Sequence, residues 1–203
     1  MTLTFGVLAI QGAVAEHLDS LRRLFQDSAF DGRAVLLRNS SQVADLDGVV
    51  LPGGESTTIS RILEQSGIGP KLRERIALGD IGILGTCAGC VLLASELADP
   101  TEVTLLSAMD MEVRRNAFGR QKESFERPLQ IQGLRTPFPG VFIRAPLITK
   151  TWGGCTVLAK IDEGVIMARQ GQFLAVAFHP ELTNDLRVHK LFYHMVEKEE
   201  LKK

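Results

Sequence analysis

The sequence has little that would point to a secreted or membrane protein. Its 203 residues include only three cysteines, an odd number that does not make a disulfide framework, so we expect a reducing, cytoplasmic location. No apolar run approaches the roughly 20 residues that a helix needs to span a bilayer. The apolar start at residues 5–10 has no basic region before it and no small-residue cleavage pattern after it, which predicts a first strand and no signal peptide.

An excess of charge of one sign is also lacking. The formal net charge is −1, which gives no reason to expect nucleic acid or a membrane surface as a partner. Obvious linkers, internal repeats and low-complexity segments are absent as well. Because a chain of this length can bury a substantial core, we expect residues 1–203 to form a single domain.

Apolar strands and an amphipathic helix alternate at the start of the chain. Residues 4–10 are apolar throughout, as expected for a central strand covered on both faces, and shorter strands are predicted at residues 34–37 and 48–51. Apolar residues at helical spacing lie between the first two strands: Val14, Leu18, Leu21 and Phe25. This order predicts an α/β fold with a parallel sheet.

The second half of the chain predicts a different arrangement. Strands are expected at residues 156–160, 165–169 and 173–178, and the short turn sequences between them suit hairpins. Part of the sheet is therefore expected to be antiparallel. The segment 103–132 is rich in charge and is typical of a solvated surface.

Residues 81–90 carry the clearest chemical signal. An apolar strand runs into a Gly-x-Cys-x-Gly turn centred on Cys87, and an apolar series at helical spacing follows as far as Leu97. This pattern is typical of a nucleophile elbow, in which the flanking glycines let strand and helix approach closely. The N–H groups at the start of the helix would also favour a thiolate. We therefore expect Cys87 to be a nucleophile.

The neighbouring Cys90 leaves two alternatives open. Cys87 and Cys90 form a Cys-x-x-Cys sequence, which in an intracellular α/β protein can be a thiol redox site. A free cysteine also often packs as a small buried hydrophobe, and this is what we expect for Cys90.

A glycine loop follows the strand at residues 48–51. Gly53 and Gly54 allow the backbone to approach a ligand at the carboxyl end of a parallel strand. The following Ser56, Thr57 or Thr58 is expected to cap the next helix.

One histidine has the setting of a catalytic base. His179 follows a predicted strand, and Glu181 lies two residues on, where an extended segment would point both side chains the same way. Glu181 can then hold the imidazole tautomer, as the third member of a triad does. The other histidines fall within predicted helices, where a surface or partly buried structural role is expected: His17, His189 and His194.

Together, the elbow, the glycine loop and the His179-Pro180-Glu181 ending resemble a class I, triad-type glutamine amidotransferase. Five longer segments more narrowly resemble the PdxT family, the glutaminase subunits of pyridoxal 5'-phosphate synthase. These segments are residues 51–57, 115–121, 124–126, 142–146 and 178–183. The resemblance implies a three-layer α/β/α, flavodoxin-like fold with a mixed, mostly parallel central sheet.

The same resemblance implies roles for individual residues. Cys87, His179 and Glu181 match a triad that hydrolyses L-glutamine to L-glutamate and ammonia through a thioester. The backbone amides of Gly54 and Ala88 match the oxyanion hole, as geometry also suggests. The remaining matches are glutamine contacts: Gly54, Glu55, Ser56, Arg115, Ile143 and Arg144. A guanidinium at Arg115 suits the α-carboxylate of a free amino acid, which replaces the surface interpretation of that charged segment. No metal or cofactor is implied.

The resemblance further implies a protein partner. Members of this family are weak glutaminases alone and are activated on docking to a synthase subunit of the PdxS family, which receives ammonia through an internal tunnel. A large ring-shaped assembly of heterodimers is expected. Two alternatives remain: the glutaminase of imidazole glycerol phosphate synthase, which shares the triad, and a thiol-disulfide oxidoreductase that uses Cys87 and Cys90.

Overall fold

The computed structural model of the chain describes residues 2–99, 101–118 and 124–200. The strands within these residues are β1 Leu3–Leu8, β2 Gly32–Leu37, β3 Gly48–Leu51, β4 Gly82–Thr86, β5 Ala94–Leu97, β6 Met109–Arg114, β7 Ser124–Leu129, β8 Phe138–Ile143, β9 Leu147–Thr151, β10 Thr156–Ile161, β11 Gly164–Gln170 and β12 Phe173–Val176. The α-helices are α1 Val14–Leu24, α2 Ser56–Gln65, α3 Ile68–Leu78, α4 Ala88–Leu93 and α5 Arg187–Glu200.

Ten of the described strands form one mixed sheet. Its order is β2-β1-β3-β4-β12-β11-β9-β6-β5, and β10 pairs with β11 off this path. The first five strands in this order, β2, β1, β3, β4 and β12, run parallel to one another. In contrast, β11 is antiparallel to both β12 and β10. The predicted mixed sheet, with hairpins near the C-terminal end of the chain, is confirmed.

Alternate residues of the central strands feed two separate cores. Val50 and Leu84 pack on one face with apolar residues of α1 and α5. Val49 and Ile83 pack on the other face with residues of α2, α3 and α4. Both faces are buried because each carries a layer of helices, which is why these strands are apolar throughout. The three-layer α/β/α architecture is therefore confirmed.

The helix after the elbow is shorter than predicted. It ends at Leu93, and Leu97 instead lies in β5, which pairs in parallel with β6. Sheet pairing of Ala94 with Met109 competes with helix propagation at this point. The apolar spacing alone does not distinguish a longer helix from a short helix followed by a strand.

The charged segment 103–132 is also more structured than predicted. In β6, the buried Met109, Met111 and Val113 alternate with Asp110, Glu112 and Arg114. This is the two-residue period of a strand with one buried face. The prediction of a purely solvated surface is wrong here, and β9, which pairs with β6, was not predicted.

A separate two-stranded sheet of β7 and β8 lies beside the carboxyl end of β12. The rings of Phe125 and Phe142 stack across it with centroids 4.5 Å apart, and Phe142 also packs against Phe178. The N–H of His179 donates to the carbonyl of Val141 in β8 at 2.8 Å. The small sheet thus fixes the segment that follows β12. None of the helices in the described ranges combines the length and apolar character of a membrane span.

Candidate active site

The site lies where three adjacent parallel strands end. β4 lies between β3 and β12, with Gly85 opposite Leu51 and Thr86 opposite Val176. The residues that follow these strands therefore meet at one edge of the sheet. This places Cys87, the Gly53-Gly54 loop and His179 together, at the edge where open α/β sheets bind ligands.

The turn at Cys87 has the geometry of a nucleophile elbow. Its backbone has φ 48° and ψ −103°, a conformation that L-residues rarely adopt, and its N–H donates to the carbonyl of Val176 at 2.8 Å. A side chain at Gly85 would clash with the Gly89 carbonyl, and one at Gly89 would clash with the Leu51 carbonyl. Both flanking glycines are therefore needed for the close approach of strand and helix.

His179 is oriented by a buried carboxylate. Its Nδ1 lies 2.7 Å from Oε1 of Glu181, and the glutamate side chain is fully buried. The connecting segment is not extended as predicted: Pro180–Leu182 forms a 3₁₀ turn, and His179 precedes it with φ −107° and ψ 86°. The turn brings residues i and i+2 into contact because proline fixes the first position and the chain folds back on itself.

The charge balance of the site favours a protonated His179. Burial lowers the pKa of this imidazole, but hydrogen bonds to Cys87 and Glu181, together with their negative charges, raise it to about 10. At neutral pH the imidazolium is then the stable form. The ring is then a proton donor positioned beside the sulfur of Cys87.

The glycine loop packs closely on the side chains of Cys87 and His179. A Cβ on Gly53 would lie 2.5 Å from Cε1 of His179 and 3.2 Å from Cβ of Cys87. Gly54 has φ 148°, which disfavours any residue with a side chain. The Gln11 side chain accepts a hydrogen bond from the Glu55 N–H at 3.2 Å and so helps to fix the loop. No sequence pattern indicates this role of Gln11.

A small pocket of about 30 Å³ opens beside the thiol. Its lining includes all but one of the residues expected to bind glutamine; Ile143 is the exception. The lining residues are Gly54, Glu55, Ser56, Cys87, Ala88, Val91, Arg115, Asn116, Arg144 and Pro146. Ile143 lies close by, with its carbonyl 3.8 Å from Sγ of Cys87.

Two oppositely charged residues of the pocket, Arg115 and Glu55, are paired with each other. Arg115 donates to Oε1 of Glu55 at 2.8 Å and to the Thr101 hydroxyl at 2.6 Å. Glu55 also accepts from the N–H of Thr57 and is the N-cap of α2, so the predicted cap by Ser56, Thr57 or Thr58 is wrong. The remaining residues of the 115–121 segment, 119–121, lie outside the described part of the chain.

Cys90 has no access to this chemistry. It is fully buried in the core formed with α2 and α3, and burial raises the pKa of its thiol, with smaller contributions from Cys87 and Cys155. All three cysteines are free. These observations fit the packing interpretation of Cys90 and argue against a redox pair with Cys87.

Two histidines lie deeper than the sequence suggested. His17 and His189 are both fully buried, on the α1 and α5 side of the sheet, whereas His194 is exposed. Nε2 of His17 lies 3.3 Å from Oε2 of Glu181 and 3.0 Å from the Thr86 hydroxyl. Helical spacing gives no signal for such a contact, because it depends on how α1 packs against the end of β4. Within the described ranges, no group of three or more His, Cys, Asp or Glu residues could hold a metal ion.

Comparison with known proteins gives a consistent result. The model of the SNO glutamine amidotransferase family matches residues 7–198. The chain is 47% identical over 197 residues to pyridoxal 5'-phosphate synthase subunit PdxT of Methanosarcina acetivorans, covering 96% of this chain and 98% of the relative. It is 48% identical over 185 residues to the PdxT subunit of Haemophilus ducreyi, covering 91% and 92% of the two chains. Neither relative is a subunit of imidazole glycerol phosphate synthase, the alternative that shares the triad.

A solved structure described as a glutamine amidotransferase has the same fold. It superposes with a TM-score of 0.87 at 41% identity, covering 95% of this chain and 98% of the other. A second glutamine amidotransferase structure, from Thermotoga maritima, superposes with a TM-score of 0.64 at 13% identity, covering 98% of this chain and 86% of the other. At that identity the second likeness supports the fold alone.

Proposed function

The chain belongs to the SNO glutamine amidotransferase family. We propose that its single domain hydrolyses glutamine with a Cys87-His179-Glu181 triad. It hydrolyses L-glutamine to L-glutamate and ammonia and supplies the ammonia to the synthase subunit of pyridoxal 5'-phosphate synthase. The main support for the triad is the 2.7 Å contact between His179 and Glu181. This pair lies beside Cys87, because β4 and β12 are adjacent strands and Cys87 and His179 follow their carboxyl ends.

In the first step, the Cys87 thiolate attacks the side-chain amide carbon of glutamine. The tetrahedral intermediate carries its negative charge on the former carbonyl oxygen. The N–H of Ala88, the first residue of α4, has no partner within the helix and is available to that oxygen. The N–H of Gly54 is the second donor of this oxyanion hole.

The collapse of the intermediate needs a proton at the leaving nitrogen. The His179 imidazolium donates it, so that the C–N bond breaks, ammonia leaves and a γ-glutamyl thioester forms on Cys87. His179, now neutral, removes a proton from water, which attacks the thioester. Glutamate is released, and sulfur and imidazole return to their starting states.

The Arg115–Glu55 pair suits a zwitterionic substrate. The guanidinium matches the α-carboxylate of glutamine, and the Glu55 carboxylate, whose side chain is half exposed, matches the α-ammonium group. On binding, the two charged groups of the substrate would replace the 2.8 Å contact between Arg115 and Glu55. Ser56, Arg144 and the backbone of Ile143 complete the contacts.

The assembly and the location follow the family resemblance. We propose docking to a PdxS-type synthase subunit in a ring-shaped assembly of heterodimers, in which ammonia passes directly to the synthase. A free thiol at Cys87 is required throughout, and this fits a reducing compartment such as the cytoplasm.

Ammonia release from glutamine, measured with and without a purified synthase subunit, tests this proposal. With the partner present, Cys87→Ala should lower the rate by at least about 1,000-fold because it removes the nucleophile. Cys90→Ala, the matched control, should keep most of the activity. The opposite behaviour of the two variants would contradict the assignment of Cys87. Activity that is high alone and unchanged by the partner would contradict the subunit role.

A further inference from the structure

A chain of buried side chains continues behind the triad. His17 in α1 and His189 in α5 are both 0% exposed. Nδ1 of His17 lies 3.2 Å from Nε2 of His189, and Nε2 of His17 faces Thr86 and Glu181. The two imidazoles therefore connect the packing of α1 and α5 to the carboxylate that orients His179.

Only one oxygen of Glu181 is satisfied by the triad itself. Oε1 lies against His179, whereas Oε2 is fully buried and has no hydrogen bond of regular geometry within the described residues. A buried carboxylate oxygen without a donor is strongly unfavourable. Nε2 of His17 lies 3.3 Å away, which is within hydrogen-bond distance, and when protonated it would need only a small reorientation to donate to this oxygen.

The surroundings select one tautomer of His17. With the proton on Nε2, the N–H is shared between the Thr86 hydroxyl and Glu181, and Nδ1 accepts from Nε2–H of His189. The other tautomer would direct a lone pair at the carboxylate. It would also put the proton of His189 on Nδ1, which is buried and has no partner within the described residues.

We propose that His17 is a positioning residue for the triad, and that its Nε2–H holds Glu181 in the orientation that accepts from His179. His189 acts one step further away, by donating to Nδ1 of His17 and so fixing its tautomer. The inference rests on the proposed function, because it assigns His17 a task in the same reaction.

Two substitutions at position 17 separate positioning from packing. His17→Leu fills the space without a donor, so kcat of the glutaminase–synthase complex should fall at least about tenfold while KM for glutamine stays within about twofold. His17→Gln places an amide N–H near the position of Nε2 and should restore kcat to within about threefold of the original chain. Val188→Ala, in the same helix as His189, is the matched control for lost core packing, since Val188 is buried but is not part of this network.

Histidine ¹H–¹⁵N NMR of the unsubstituted protein tests the tautomer directly and needs no variant to fold. The expected signature is a neutral His17 protonated at Nε2. A proton at Nδ1 would overturn the proposal, as would a His17→Leu kcat equal to that of Val188→Ala, or no recovery in His17→Gln. If His17→Leu does not fold, the kcat of His17→Gln and the tautomer of His17 test the proposal instead. Absence of ammonia release by the unsubstituted complex would instead contradict the proposed function and leave the tautomer test standing.

Discussion

The stability of the chain should decrease between pH 6.5 and pH 5 because His17 and His189 are buried without charge. Burial, and then the Arg23 charge, lower the pKa of His189 from 6.5 to about 4. Burial, and then the charges of His189 and His179, lower the pKa of His17 well below 6.5. Below pH 6.5 the unfolded chain binds protons at these sites and the folded chain does not. Their contribution is therefore complete above pH 6.5 and is lost as the pH falls towards the folded pKa values.

The size of the effect follows from the two pKa values of His189. A group that titrates near 6.5 when unfolded and near 4 when folded lowers the free energy of unfolding by about 2 kcal/mol between pH 7 and pH 5. The pKa of His179 is raised, so its contribution has the opposite sign and is lost only as the pH rises towards 10.

Urea unfolding of the original chain and of His189→Gln, each at pH 7 and pH 5, isolates this contribution. Glutamine keeps an N–H donor for His17 but does not titrate, so the ionisable groups that do not interact with His189 cancel in the comparison. The original chain should lose about 2 kcal/mol more than the variant over this range. An equal loss in both proteins would show that His189 is not held neutral in the folded state, and the description of the buried pair would be wrong.

Three further substitutions test the site. Gly53→Ala should lower kcat about 100-fold with the fold retained by circular dichroism, because the new Cβ displaces the His179 ring; unchanged kcat would contradict the packing of the loop. Arg115→Lys should raise KM for glutamine about tenfold with little change in kcat, because lysine lacks the planar fork; a change confined to kcat would contradict a binding role. Cys90→Ala should leave the rate of Cys87 alkylation by iodoacetamide within about twofold of the original, whereas a large change would revive a thiol pair.

Much of the fold could be predicted because its signals are local. The strand at residues 48–51 and the strand before the elbow are short apolar runs that end in glycine turns. The structure has a strand at each of these places. The strand β6 was missed although its two-residue alternation is present in the sequence, because the charged half of the pattern suggested a surface. The early end of α4 depends on pairing between β5 and β6, which no local pattern specifies.

The site, like the fold, has parts that could be predicted from local sequence and parts that could not. The elbow at Cys87 and the close spacing of His179 and Glu181 are local, and the family resemblance supplied the rest of the expected set. Contacts between distant segments were not predictable: Thr101 against Arg115 and His17 against Glu181 both arise from tertiary packing. The apolar spacing of α1 already places His17 on the apolar face of that helix, three residues after Val14 and four before Leu21, but it does not specify which group His17 contacts.

Mapping the covalent intermediate shows directly whether Cys87 is the nucleophile. The glutaminase–synthase complex turning over L-glutamine would be quenched in acid, digested and analysed by mass spectrometry for a γ-glutamyl thioester. Attack by Cys87 predicts the adduct on the peptide that contains residues 81–90, attached to Cys87 and absent from Cys87→Ala. An adduct on Cys90 or Cys155, or undiminished ammonia release by Cys87→Ala, would contradict it.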